Sequence, residues 1–176
     1  MFISVTSYHS PFGELILGEF DKKLCLCDWR YRKQRSQIDT RIQKDTNAIF
    51  EENDTPLLRK VKKQLDEYFL KTRTEFNIPV LLIGSDFQKS VWNELLEIPF
   101  GSTISYLELS QKLGDEKAIR AVASANGANA ISIIVPCHRI IGSDGSLTGY
   151  AGGLNAKKKL LQLEGMNLGN QLTLFD

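Results

Sequence analysis

Apolar and polar positions alternate in short runs at the start of the chain. FISVTSY, GELILGEF and KLCLCDWRY are rich in apolar or aromatic residues and are separated by Pro11, Gly13 and the polar Asp21 to Lys23. Short β-like runs bounded by turn formers predict an antiparallel meander. Residues 34–54 are polar and predict a loop. Thr55 and Pro56 then read as an N-cap and a first helical residue, and Leu57, Leu58, Val61, Leu65, Tyr68 and Phe69 recur at helical spacing. FNIPVLLIG predicts a buried extended segment, with Pro79 confining it to an edge or an end because it has no N–H to donate.

The texture changes near residues 80–86, which divides the chain into residues 1–84 and 85–176. Ser85 and Gln88 form a capping-box pattern ahead of Phe87, Val91, Leu95 and Ile98 on one helical face. Ser105 with Glu108 opens a second helix and Asp115 a third, joined by the tight turn at Leu113 and Gly114. That outline is a helix-turn-helix. In its second helix Ile119, Val122 and Ala123 are assigned to the core, and Lys117, Arg120 and Ser124 to the outside. ISIIV reads as a buried strand before Pro136, Asp144-Gly145 as a tight hairpin turn, and NAKKKLLQLEG as a helix capped by Asn155 and stopped by Gly165.

Composition narrows the class. The chain of 176 residues is 42% hydrophobic and carries a formal net charge of +1, which suits a globular protein and excludes a bulk polycation; any contact with nucleic acid must be local. The three cysteines, Cys25, Cys27 and Cys137, cannot all pair internally, and MFISVTSYHS lacks the basic start and apolar run of a signal peptide. Both features predict a reducing, cytoplasmic setting. No apolar run approaches the roughly 20 residues needed to cross a bilayer.

Candidate chemistry lies in IVPCHRIIGSDGSLTGYAGG. Pro136 fixes its own φ and holds Cys137 at a defined place. A free thiol is mostly protonated at neutral pH, so attack by sulfur needs a nearby base, and His138 adjoins it. The bland alternative is a buried structural cysteine beside an incidental histidine. Glu164 sits at the negative end of its helix dipole, which points to a specific partner such as a histidine ring, although an ordinary surface glutamate fits the same pattern. Lys157 to Lys159 read as a solvated face. Asn129 follows a break in ANGAN and could orient neighbouring elements. The alanine-rich surface around Arg120 admits a close backbone approach to nucleic acid, or an ordinary amphipathic helix pair. Cys25 and Cys27 lack the usual zinc spacing and point together into the core.

Taken together, PCHR within IVPCHRIIG, the run from FQKSVWNELL to NGAN and the later GYAGGLNAKKKLLQLEG resemble the O6-alkylguanine-DNA alkyltransferases, or methylated-DNA:protein-cysteine methyltransferases, over residues 86–169. SPFGELILG resembles the N-terminal domain more loosely. The resemblance implies an α+β protein: an N-terminal ribonuclease H-like α/β domain with a small antiparallel sheet, and a mainly helical, winged helix-turn-helix C-terminal domain that binds double-stranded DNA in the minor groove as a monomer. It implies direct-reversal repair in a single turnover, with the alkyl group passing from O6-alkylguanine or O4-alkylthymine to Cys137. His138 and Glu164 would activate the thiol through a water, and Asn129 would brace the turn. Arg120 would enter the duplex, with Ala118 and Ile119 beside it. Tyr106 would crowd the 3′ phosphate and reach N3 of the flipped base. Tyr150, Ala151, Gly152 and Ile140 would line the base pocket, with the Ala151 N–H facing O6 and the carbonyls of Cys137 and Ile140 accepting from the guanine amino group. No metal or organic cofactor is implied.

Three departures stand out. Ala130 stands where many members have proline, Ser132 where the human-type members have another, and Ala151 replaces a serine found in some. A lesion-binding relative would lack the acceptor cysteine, and a transcription regulator would show preference for a DNA sequence.

Overall fold

The computed structural model describes residues 1–169. It forms two compact units, Met1–Gly84 and Ser85–Asp176. In the first, β1 (Phe2–Ser10), β2 (Gly13–Phe20) and β3 (Lys23–Trp29) pair antiparallel in chain order, the meander expected from the alternating runs. The polar stretch expected to be a loop instead contains α1 (Arg35–Thr46) and β4 (Ile49–Glu52). Ile38 and Ile42, one helical turn apart, are the apolar anchors of α1, too few to give a periodic signal. The helix forms a crossover that lets β4 pair parallel with β1, so the sheet is mixed, in the order β3-β2-β1-β4.

Thr55 caps α2 (Pro56–Phe69) by accepting from the Leu58 N–H, and the helix buries Leu58, Val61, Leu65 and Tyr68. Such a cap contributes about 1 kcal/mol. FNIPVLLIG attaches by a single bridge rather than a strand: Leu24 N–H donates to the Pro79 carbonyl and Leu81 N–H to the Leu24 carbonyl, each at 2.8 Å. Pro79 contributes only its carbonyl, as a residue without an N–H must.

In the second unit, α3 (Asp86–Leu96) and α4 (Tyr106–Lys112) both start with complete capping boxes, Ser85 with Gln88 and Ser105 with Glu108. On α3, Val91, Trp92 and Leu95 are buried, while Phe87, assigned to the same face, is 40% exposed. Asp115 caps a 3-10 turn at Glu116–Ala118 that leads into α5 (Ile119–Gly127). The buried stripe of α5 is Val122, Ala125 and Asn126; Ile119 and Ala123, expected inside, are exposed. Asn126 completes that face without adding to an apolar pattern, because its side chain is polar. Trp92 Nε1 donates to the Ala125 carbonyl at 2.8 Å, joining α3 to α5.

ISIIV is buried but is not a strand. Ile134 N–H donates to the Ser132 carbonyl across Ile133, whose φ is +72°, and Cys137 N–H donates to the Val135 carbonyl across Pro136, at φ −82° and ψ 63°. These are two tight three-residue turns, the second of the common inverse kind. β5 (Ile104–Ser105) and β6 (Ile140–Ile141) pair parallel, so the Asp144-Gly145 turn after β6 does not join two hairpin strands. α6 (Leu154–Leu163) begins at Gly153 with no side-chain cap, and Asn155, expected to cap it, lies inside the first turn. Its end is satisfied: Gly165, at φ +89°, donates to the Gln162 carbonyl and Met166 N–H to the Leu161 carbonyl. This double closure needs a left-handed residue after the cap, which glycine supplies without steric cost.

Candidate active site

Cys137 opens a 3-10 turn, Cys137–Arg139, at the end of the two tight turns. A β-branched residue at positive φ, as at Ile133, costs on the order of 1–3 kcal/mol and persists only where its surroundings enforce it. Asn129 supplies that enforcement. Its Nδ2 donates to the Val135 carbonyl at 2.9 Å and the Ile131 carbonyl at 3.3 Å, and its Oδ1 accepts from the Ile131 N–H at 2.9 Å. Both ends of one buried amide hold the segment that presents Cys137.

His138 and Glu164 meet at 2.8 Å between Nε2 and Oε1, both fully enclosed. Arg139, which sequence reasoning missed, completes the group: Nε donates to Oε2 at 3.0 Å, Nη2 to Oε1 at 2.9 Å, and Nη1 to the Ile98 carbonyl at 2.6 Å. Gly101 N–H adds a longer bond to Oε2 at 3.3 Å. Burial works to raise the Glu164 pKa, but the hydrogen bonds and charges of His138 and Arg139 outweigh it and bring it down to about 2. Burial pushes the His138 imidazole below its ordinary value, against the hydrogen bond and charge of Glu164. A carboxylate can only accept, so Nε2 carries the ring proton and Nδ1 keeps its lone pair. Nδ1 is buried and has no hydrogen-bond partner among the described residues.

Lys157, expected on a solvated face, is fully buried. It donates to the Thr148 carbonyl at 2.9 Å and the Gly149 carbonyl at 3.3 Å, tying α6 to the loop that carries Tyr150, Ala151 and Gly152. Burial brings its pKa down to about 8, with the charge of Cys137 acting the other way. The phase of α6 carried the signal, since Lys157 lies three, four and seven residues before the buried Leu160, Leu161 and Glu164. The Thr148 carbonyl also accepts from the Tyr106 hydroxyl at 3.3 Å, and the Tyr150 ring meets that of His138 edge-on at 6.4 Å. Gly152 and Ile140 are buried and Ala151 half-buried. Arg120 is exposed at the start of α5 beside exposed Ile119 and half-buried Ala118.

Cys25 and Cys27 are buried in β3, and burial raises both thiols, that of Cys25 to about 12. Neither is placed to act as a nucleophile. Among the described residues no cluster of three His, Cys, Asp or Glu side chains could hold a metal, and no helix is long and apolar enough to cross a membrane.

Residues 3–82 match the ribonuclease-like domain of 6-O-methylguanine DNA methyltransferase, and residues 86–166 match its DNA-binding domain. This chain belongs to that family. A methylated-DNA–protein-cysteine methyltransferase of Methanosarcina barkeri is 43% identical over 90% of this chain and 95% of its own. The one from Mycobacterium leprae is 43% identical over 99% of both chains. The crystal structure of Mycobacterium tuberculosis OGT in complex with DNA superposes with a TM-score of 0.77 at 38% identity, covering 93% of this chain and 92% of that one. Both halves of the alkyltransferase family are thus represented.

Proposed function

We propose that this protein repairs alkylated DNA by direct reversal, moving the alkyl group from O6 of guanine, and from O4 of thymine, irreversibly onto Cys137. The observation that carries the reading is the enclosed His138–Glu164 pair beside Cys137, which leaves Nδ1 as the basic ring nitrogen. The Cys137 proton passes through a bridging water to Nδ1, and the imidazolium that forms is held by the Glu164 carboxylate. The thiolate attacks the alkyl carbon, a C–S bond forms and the C–O6 bond breaks with its electrons leaving on guanine. The Ala151 N–H at O6 and the Tyr106 hydroxyl at N3 stabilise that charge. Burial raises the Tyr106 phenol, which keeps it a donor. The balance is complete without a metal or organic cofactor. Because the product is a thioether, each molecule acts once.

The target atom lies inside a stacked duplex, so the base must be turned out at a cost on the order of a few kcal/mol, least for a poorly paired lesion. Arg120 takes the place of the extruded base. Ala118, Ile119 and the exposed Ala121 and Ala123 give α5 a low surface that fits a minor groove. Residues 85–176 carry DNA binding and acceptor chemistry, residues 1–84 a scaffold, and the protein works as a cytoplasmic monomer. Titration with a duplex bearing one O6-methylguanine tests the reading. Lesions removed should plateau at one per protein molecule; continued turnover would overturn irreversible transfer.

A further inference from the structure

Tyr106 opens α4, and its hydroxyl donates to the Thr148 carbonyl at 3.3 Å. Asn126 belongs to the inward stripe of α5 and is only 5% exposed. Its side chain hydrogen-bonds the same hydroxyl, and its Nδ2 donates to the Cys137 carbonyl at 3.4 Å. Oδ1 has no partner among the described residues, so both bonds come from the NH2 end, which has two hydrogens to give. The phenol oxygen thus accepts from Asn126 while its own proton points to Thr148. Burial raises the Tyr106 phenol, and its bonds to Thr148 and Asn126 act the other way.

A phenol proton lies in the ring plane and can sit on either side of the C–O bond. With an Asn126 N–H on one side, the proton is confined to the other, towards the loop that carries Tyr150 and Ala151. An oxygen that accepts is also a stronger donor, because hydrogen bonds in a chain polarise one another. The Thr148 carbonyl does not depend on this proton, since it also accepts from Lys157 Nζ at 2.9 Å. The hydroxyl can therefore turn from Thr148 to a base without leaving the carbonyl unpaired.

We propose that Asn126 is a positioning residue for alkyl transfer, holding the Tyr106 hydroxyl with its proton towards the base pocket so that it donates to N3 of the extruded guanine as charge develops there. The proposal rests on the functional reading above, in which Tyr106 serves N3. The amide acts through the phenol, so its effect on the rate should vanish when the base has no N3 lone pair. A purely structural role for Asn126 has no such dependence.

The test uses the full chain and two duplexes alike except for the lesion: O6-methylguanine, and O6-methyl-3-deazaguanine, in which a C–H replaces N3. Second-order transfer rates are compared for wild type, Tyr106→Phe, Asn126→Met and the double variant. Wild type should react about tenfold faster with the lesion that keeps N3, the worth of one hydrogen bond to a charged group. Asn126→Met should cut that ratio by about threefold or more while leaving the 3-deaza rate near that of wild type, and should not change the ratio further in the Tyr106→Phe background. Equal slowing on both duplexes, or an unchanged ratio, would overturn the inference. Asn126→Asp decides the matter if Asn126→Met does not fold: the side chain keeps its size but a carboxylate cannot donate to the phenol, so a ratio like that of wild type would again overturn it. A ratio that survives Tyr106→Phe would instead remove the reading of Tyr106 on which the proposal stands.

Discussion

Arg139 grips both carboxylate oxygens of Glu164, through Nε at 3.0 Å and Nη2 at 2.9 Å, in a space closed to solvent. The fork fixes the carboxylate, and Oε1, which accepts from Nη2, is also in contact with His138 Nε2. Removing one partner of such a buried group leaves a charge without compensation, which costs about 3–5 kcal/mol. Arg139→Met should lose stability of that order in urea unfolding. Arg139→Lys should recover little, because an ammonium cannot make the two parallel bonds or reach the Ile98 carbonyl as well. Wild-type stability in Arg139→Lys would show that the charge alone suffices.

Glu164→Gln should fold and transfer slowly. The amide can still meet His138 but cannot stabilise its positive form, and the loss should be roughly 10²–10⁴-fold, the range of a disabled general base. An unchanged rate would remove Glu164 from the mechanism.

The same carboxylate makes stability depend on pH. A carboxyl held at about 2 when folded, against an ordinary 4.5, stabilises the fold above the ordinary value, and that contribution is lost as pH falls towards 2. His138, lowered by burial, acts in the same direction, since the unfolded chain takes up its proton first. Urea midpoints should therefore fall on acidification of wild type, and less steeply in Glu164→Gln. The transfer rate should hold at pH values below the ordinary histidine range, because a lowered imidazole stays neutral there. A rate that fell off within the ordinary range would argue against His138 as the base.

Lys157→Met should separate stability from activity. Burying an ammonium without a carboxylate partner is costly, so an apolar replacement of similar length should be as stable as wild type or more so. Wild type itself should gain stability between about 8 and the ordinary 10.5, where the unfolded chain still holds a proton that the folded chain has released. The variant loses the ties to Thr148 and Gly149, so transfer should slow as Tyr150 and Ala151 lose their placement. Full activity in the variant would show that the loop holds itself.

Arg120→Ala should weaken repair of duplex DNA while leaving transfer from free O6-benzylguanine base unchanged, since the free base needs no extrusion. Equal loss on both substrates would place Arg120 in the chemistry instead.

The features written within a few consecutive residues were legible from the sequence. Thr55 with Pro56, Ser85 with Gln88 and Ser105 with Glu108 define helix starts because cap and partner lie within one turn. α1 was hidden because only Ile38 and Ile42 anchor it. The inward face of α5 is Val122, Ala125 and Asn126 rather than Ile119, Val122 and Ala123, and Asn126 went unnoticed because a polar side chain adds nothing to an apolar pattern. His138, Glu164 and Asn129 could be singled out by chemical type and position. Arg139 could not, since its partner lies 25 residues away and nothing local separates it from a surface arginine. Lys157 was obscured by Lys158 and Lys159, which follow it on the same helix.

The central claim is that Cys137 itself takes the alkyl group. Intact-protein mass measurement with peptide mapping, after reaction with an equimolar duplex carrying one O6-methylguanine, tests it most directly. The account predicts a gain of one CH2 unit confined to the Cys137 peptide, with guanine restored in the DNA. Tight binding with no change in mass, or the added group on any other residue, would contradict it.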